Sequence, residues 1–218
     1  MSMVKALRYD KVSWHAQKMK WRDSLSKALD AGQPWLIYQM FPNMYNKRDV
    51  MRLHRRLLLS DIFSLLPSQH DDDGQNKKSW FDTEQGPKTD FYWQGKKLKI
   101  SVSYARDFCV IGLHALSDVH SGFGIDVVDT MAILNWPEEE LDVLAQTYLS
   151  SETQQALQNE YGSAKVELFA TAWTHFEAVA KANEKNGIVQ EDIHLTQTVH
   201  TWNITNLPAG IVGCAVVV

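Results

Sequence analysis

Hydrophobic positions change their spacing several times along this chain, and each change marks an element. From Phe169 to Lys181 (FATAWTHFEAVAK), Phe169, Trp173, Phe176 and Ala180 recur every three or four residues without an intervening Gly or Pro. That spacing, with Ala170, Ala172, Ala178 and Ala180 as strong helix formers, predicts a helix with one apolar stripe. Glu177 follows Trp173 by four residues and precedes Lys181 by four, which sets a carboxylate and an ammonium one turn apart at the stripe's edge. Arg48 to Leu66 reads as a second amphipathic helix, stopped by Pro67, with Arg48, Arg52, Arg55 and Arg56 on a basic face. Pro137 to Leu149 reads as a third, opened by Glu138, Glu139 and Glu140 behind a first-turn proline. The mixed-charge segment 1–31, around Trp14 and Trp21, also reads as helix.

Elsewhere the period is two, or the run is apolar throughout. Gln33 to Phe41 (QPWLIYQMF) is strand-like and meets the turn signal Pro42-Asn43. Phe91 to Lys99 predicts a hairpin arm turning at Gly95-Lys96. Ile100 to Leu113 predicts two strands around a turn at Ala105-Arg106-Asp107. His194 to Ile204 alternates, and Ile211 to Val218 (IVGCAVVV) reads as a buried terminal strand. The polar stretch Ser68 to Gly86 reads as a surface loop. Its run Asp71-Asp72-Asp73 lacks the spacing of a calcium loop and reads as solvated. Ser117 to Gly122 is a further loop, after which a second half begins. Gly122 to Asp129 (GFGIDVVD) departs from strand chemistry, because Asp126 sits inside an apolar run and needs a cationic partner to be buried there.

Composition narrows the classes. The 218 residues are 44% hydrophobic and 22% charged, which suits an ordinary globular chain. A formal net charge of −4 argues against general affinity for nucleic acid or membrane surfaces. The start MSMVKALRYD lacks the apolar core of a secretory leader, and no run suits a membrane span. Cys109 and Cys214, both in apolar sequence, read as buried free thiols of a cytoplasmic protein.

GIDVVD, followed about fifty residues later by WTHFEAVAK, resembles the two signature motifs of the 4′-phosphopantetheinyl transferases. That pattern is G-[IV]-D, then W-[ST]-x-K-E-[AS]-x-x-K. Gly124, Ile125, Asp126, Trp173, Thr174, Glu177, Ala178 and Lys181 match it, and Phe176 stands where the family has Lys. Arg56-Leu-Leu-Leu-Ser-Asp resembles the family's R-x-L-L-G-D helix, Gly95-Lys96-Lys97 its G-K-P turn, and Val102-Ser103-Tyr104-Ala105 its I-S-H-S strand with Tyr for His. Tyr148-Leu149-Ser150-Ser151-Glu152 resembles the F-F-S-x-x-E element before the signature helix.

The resemblance implies an α+β fold of two similar halves related by a pseudo-twofold axis, residues 1–118 and 119–218, with the site between them. It further implies a monomer that moves 4′-phosphopantetheine from coenzyme A to a serine of an apo acyl or peptidyl carrier protein. Arg56, Lys96, Ser103 and Tyr104 would position the coenzyme's phosphates. Convergence of Asp126 and Glu177 would give two hard oxygen ligands, which suit Mg²⁺ completed by substrate phosphates. Glu177, or water it holds, would take the serine proton, and Lys181 would meet the diphosphate or the leaving 3′,5′-ADP. Larger members carry a second acid at the place of Val128. Asp129 is either a further metal ligand or a salt-bridged or capping residue, since in a regular strand it faces away from Asp126. Two other classes stay open: a non-catalytic coenzyme A or carrier-protein binder, suggested by Tyr104, Phe176 and Val128, and a nucleic-acid binder on the Arg48–Arg56 helix, whose few aromatics argue against it.

Overall fold

The computed structural model describes residues 2–41, 48–66, 91–116, 121–183 and 200–218. The predicted loop 68–86, the boundary between 118 and 119, and residues 194–199 of a predicted strand lie outside the described residues. The strands are β1 (Ser2–Arg8), β2 (Trp35–Met40), β3 (Phe91–Trp93), β4 (Lys96–Ala105), β5 (Phe108–Leu116), β6 (Phe123–Asp129), β7 (His200–Thr205) and β8 (Ile211–Val217). They form one mixed sheet in the order β3-β4-β5-β2-β1-β7-β8-β6. The helices are α1 (Lys11–Ala16), α2 (Lys18–Asp30), α3 (Arg48–Phe63), α4 (Thr130–Ile133), α5 (Glu138–Tyr148), α6 (Ser151–Gln158) and α7 (Gly162–Ala182). The chain is thus a mixed α and β protein, and no described helix is long and apolar enough to cross a membrane.

Segment 1–31 differs from its helical reading at its first residues. Met3, Lys5, Ala6 and Leu7 are good helix formers, yet β1 lies mid-sheet, parallel to both β2 and β7. Val4 and Ala6 are buried while Ser2, Met3 and Lys5 are exposed, so an alternating contact pattern and two strand partners override local propensity. Parallel β1 and β2 need a crossover, which α1 and α2 supply. Helix α1 starts at Asp10, whose side chain accepts from the Ser13 amide at 2.9 Å. The hairpin β3–β4 turns one residue earlier than expected. Gln94 and Gly95 take positive φ of 49° and 79°, the two-residue turn that matches strand twist, and Lys96 already pairs with Trp93. Pro137 caps α5 from outside its first turn.

Strand β5 is buried along its whole length and separates two cores. Cys109, Ile111, Leu113 and Ala115 face α1–α3 with Trp14, Leu25, Leu58 and Ile62. Phe108 and Val110 face the other way, where Val4, Leu36, Phe123, Ile125, Val127 and Ala215 fill the inside of the curled sheet. The curl brings β6, at the end of the strand order, beside β4. There the Ser101 and Ser103 hydroxyls accept the Ile125 and Val127 amides at 3.0 and 3.2 Å. Both cysteines are buried free thiols, pushed up to about 12 mainly by burial.

Helix α7 covers β6 and β8. It runs past the predicted stripe at both ends, and its tightest contact with the sheet is made by small residues rather than by the aromatic ones. A Cβ on Gly124 would fall 1.9 Å from the Ala178 carbonyl oxygen, and one on Gly122 only 1.7 Å from that of Ala182. The two glycines therefore let the helix rest on the strand's own backbone. Phe169, Trp173 and Phe176 pack instead beside α5, with Tyr148 5.7 Å from Trp173 and 5.4 Å from Phe176, ring to ring.

Candidate active site

Alternation along β6 decides which side chains can meet α7. Ile125 and Val127 point into the curled sheet, so Asp126 and Val128 face the helix side. With the helix laid on Gly122 and Gly124, the one-turn spacing of Glu177 and Lys181 brings both beside Asp126. Lys181 Nζ donates to Asp126 Oδ1 at 2.7 Å across 55 residues of chain. Ser103 Oγ donates to the same oxygen at 2.8 Å, and Lys181 Nζ also reaches Ser103 Oγ at 3.3 Å. Asp126 is only 7% exposed, and these charge-assisted bonds, each of about 1.5–3 kcal/mol, make that burial tolerable.

Glu177 is half-buried. Burial pushes its carboxyl up from the ordinary value, the charge of Asp126 pushes it further, and Lys181 offsets part of the shift. Two carboxylates thus act on each other electrostatically beside one ammonium, which bonds Asp126 and draws on Glu177 only through its charge, with a serine hydroxyl orienting Asp126.

The other predicted residues are placed apart from this group. Asp129 ends β6, accepts both Nε and Nη2 of Arg106, and caps α4 by accepting the Met131 amide at 3.0 Å. Tyr104 is exposed and alternates with buried Ser103, which sets the two on opposite faces of β4. Lys96 is exposed at the start of β4. Arg56 is half-buried on α3. Its neighbour Arg55 acts electrostatically on Cys109, and Arg55 Nε is buried without a hydrogen-bond partner among the described residues.

Arg106 has a role the sequence did not announce. Arg106 occupies the β4–β5 turn at φ 49°, and nothing local ties it to Asp129. The alternation Ser101-Val102-Ser103 does place two hydroxyls on one face, a signal that their strand has a polar neighbour there.

The donor set bears on which ion could bind. Among the described residues no group of three or more His, Cys, Asp or Glu comes together. Cys214, opposite Asp126 on β8, stays a neutral thiol and offers no thiolate. Two carboxylates cannot cage an ion alone, but they fit a hard cation such as Mg²⁺ that takes its remaining ligands from water and phosphate. Compared with protein-family models and with curated proteins, the chain has no match.

Proposed function

We propose that this chain transfers 4′-phosphopantetheine from coenzyme A to a serine hydroxyl of an apo acyl or peptidyl carrier protein. The observation that carries the reading is the meeting of two distant motifs: Lys181 and Ser103 bond the buried Asp126 at 2.7 and 2.8 Å, and Glu177, one turn before Lys181, feels the charges of Asp126 and Lys181. These are the acids and the lysine that the resemblance puts to use. In the same reading, residues 1–118 and 119–218 are two related halves of a monomeric cytoplasmic enzyme. Strands β1–β5 lie together in the sheet and β6–β8 lie together beside them, an arrangement compatible with that division.

The chemistry asked of the chain is modest. The carrier serine Oγ forms a bond to the pantetheine-side phosphorus, the phosphorus–oxygen bond to 3′,5′-ADP breaks, and the serine proton must leave. Glu177, whose raised proton affinity makes it a better acceptor than an ordinary carboxylate, takes that proton directly or through water. Asp126, steadied by Ser103, and Glu177 would hold Mg²⁺, which when bound neutralises charge on the diphosphate. Lys181 meets the departing phosphate as a flexible point charge. Arg56 and Lys96 supply further positive charge toward the coenzyme.

A second reading has its own observation. Val128 packs among apolar side chains where larger transferases carry an acid, and Asp126 is already satisfied by Lys181 and Ser103, as a non-catalytic coenzyme or carrier binder would allow. Incubating apo carrier proteins with coenzyme A and Mg²⁺ and weighing the products separates the two. Transfer adds one phosphopantetheinyl group per carrier. Binding of coenzyme A or carrier without a mass gain on any of a broad panel favours the second reading.

A further inference from the structure

Asp126 already holds a cation. Its Oδ1 receives Lys181 Nζ at 2.7 Å and Ser103 Oγ at 2.8 Å, so one of its two oxygens carries two donors before any ligand arrives. Glu177, one turn earlier on α7, feels both the Asp126 charge and the Lys181 charge. A divalent cation shared by the two carboxylates would stand next to that ammonium, and like charges at such close range repel each other. The lysine is able to leave. Its side chain is one-third exposed, 33% against 10% for Asp126, and it sits in the last turn of α7. An ammonium on a flexible stem exchanges one oxygen partner for another without the geometric penalty of a bidentate guanidinium. A diphosphate supplies both the acceptor oxygens and the negative charge that would let ammonium and metal share the pocket.

We propose that Lys181 is the resident counter-ion of Asp126, and that a divalent cation enters this site only together with a diphosphate, which draws the ammonium off the carboxylate. The choice of coenzyme A as that diphosphate rests on the transfer reading above. Metal binding is therefore ordered: Lys181 holds Asp126 in place in the free protein, and the pocket discriminates against the bare ion.

Mn²⁺ is the probe, with free ion counted by electron paramagnetic resonance in the presence of the full chain and against a protein-free coenzyme control. Wild-type protein alone is expected to bind Mn²⁺ weakly, and coenzyme A to tighten binding about tenfold or more. Lys181→Met, without coenzyme, should bind Mn²⁺ about tenfold tighter than wild type, and Lys181→Arg should remain weak. Adding Glu177→Gln to Lys181→Met should erase the gain, which ties it to this pair of carboxylates. Lys181→Gln is a second neutral variant should Lys181→Met fold poorly. No tightening in either neutral variant, or a gain that survives Glu177→Gln, overturns the proposal even if the wild-type protein transfers phosphopantetheine. Unchanged wild-type binding with coenzyme A overturns it too, and the mass measurement on carrier proteins then tells whether the transfer reading falls with it.

Discussion

Asp126 and Asp129 stand three residues apart on β6, both 7% exposed and both answered by a cation, but the two ion pairs differ in kind. Asp129 has both oxygens engaged: Arg106 grips it through two nitrogens, and the Met131 amide of α4 adds a third bond. Asp126 engages Lys181 and Ser103 through Oδ1 alone. A guanidinium fork holds a carboxylate in one plane, whereas an ammonium is a point charge that can move. The partner's shape, more than burial or charge, distinguishes a carboxylate fixed for structure from one that can change partners. Face matters as well, since alternation turns Asp126 toward α7 and its acid–base pair, and turns Asp129 toward the β4–β5 turn.

Single-turnover transfer gives the largest expected contrast. If the proposed transfer reading holds, Glu177→Gln should slow it by several orders of magnitude, because one substitution would remove both the proposed proton acceptor and a proposed metal ligand, while Asp129→Asn should stay within about tenfold of wild type. A folded Asp129→Asn variant slower than Glu177→Gln would reverse the roles drawn above. Next comes the contact that creates the Asp126 surroundings. Gly124→Ala must push the Ala178 carbonyl away, at about 3 kcal/mol measured by denaturant midpoint, with transfer lost in whatever remains folded. A Gly124→Ala variant of wild-type stability would mean that α7 does not rest on β6 as described.

Acid gives a background against which both aspartates are to be compared. Burial pushes His114 down to about 4 from an ordinary value of 6.5, beside Phe123 and Trp202. Between those values the unfolded chain binds more protons than the folded one. Stability is therefore whole above pH 6.5 and falls as pH drops toward 4, by on the order of 3 kcal/mol in full. Urea melts across that range should show the loss, and His114→Leu should flatten this part of the slope. Asp129→Asn should then cost about 2 kcal/mol at neutral pH, from a weakened cap and a broken bidentate pair, visible as a lower midpoint at unchanged m-value. The smallest effect is expected for Ser103→Ala, about 1–2 kcal/mol for the lost Val127 amide partner and Asp126 bond. Ser103→Thr, which keeps the hydroxyl, should recover part of it. If Ser103→Ala costs nothing, the hydroxyl neither bridges β4 to β6 nor steadies Asp126.

Much of the candidate site was legible because its spacings are local. The i, i+4 relation of Glu177 and Lys181 follows from helix geometry alone, and Asp126 stood out as a charge in an apolar strand. The parity of Asp126 and Asp129 likewise needed only the two-residue period of a strand. The stripe was legible only in part: Phe169 and Ala180 are buried, but Trp173 and Phe176 are half-buried, and Ala170, Thr174 and Ala178 fill the buried face. The residues meeting β6 most closely are the small ones, because glycine on the strand and alanine on the helix set the distance between the two backbones.

The amino-acid order by itself thus determined the helices and hairpins with strong periodicity, the pairing of Glu177 with Lys181 on one helix face, and the misfit of Asp126 that called for a cation. It could not determine β1, whose residues favour helix until two parallel neighbours claim their backbone groups, nor the strand order, which depends on which edges meet after the sheet curls. Nor could it say that Lys181 answers Asp126 while Arg106 answers Asp129. Lys181 lies 55 residues from Asp126 along the chain and Arg106 lies 23 from Asp129, so only the packing of α7 on Gly122 and Gly124, and of β4 against β6, brings each charge to its partner.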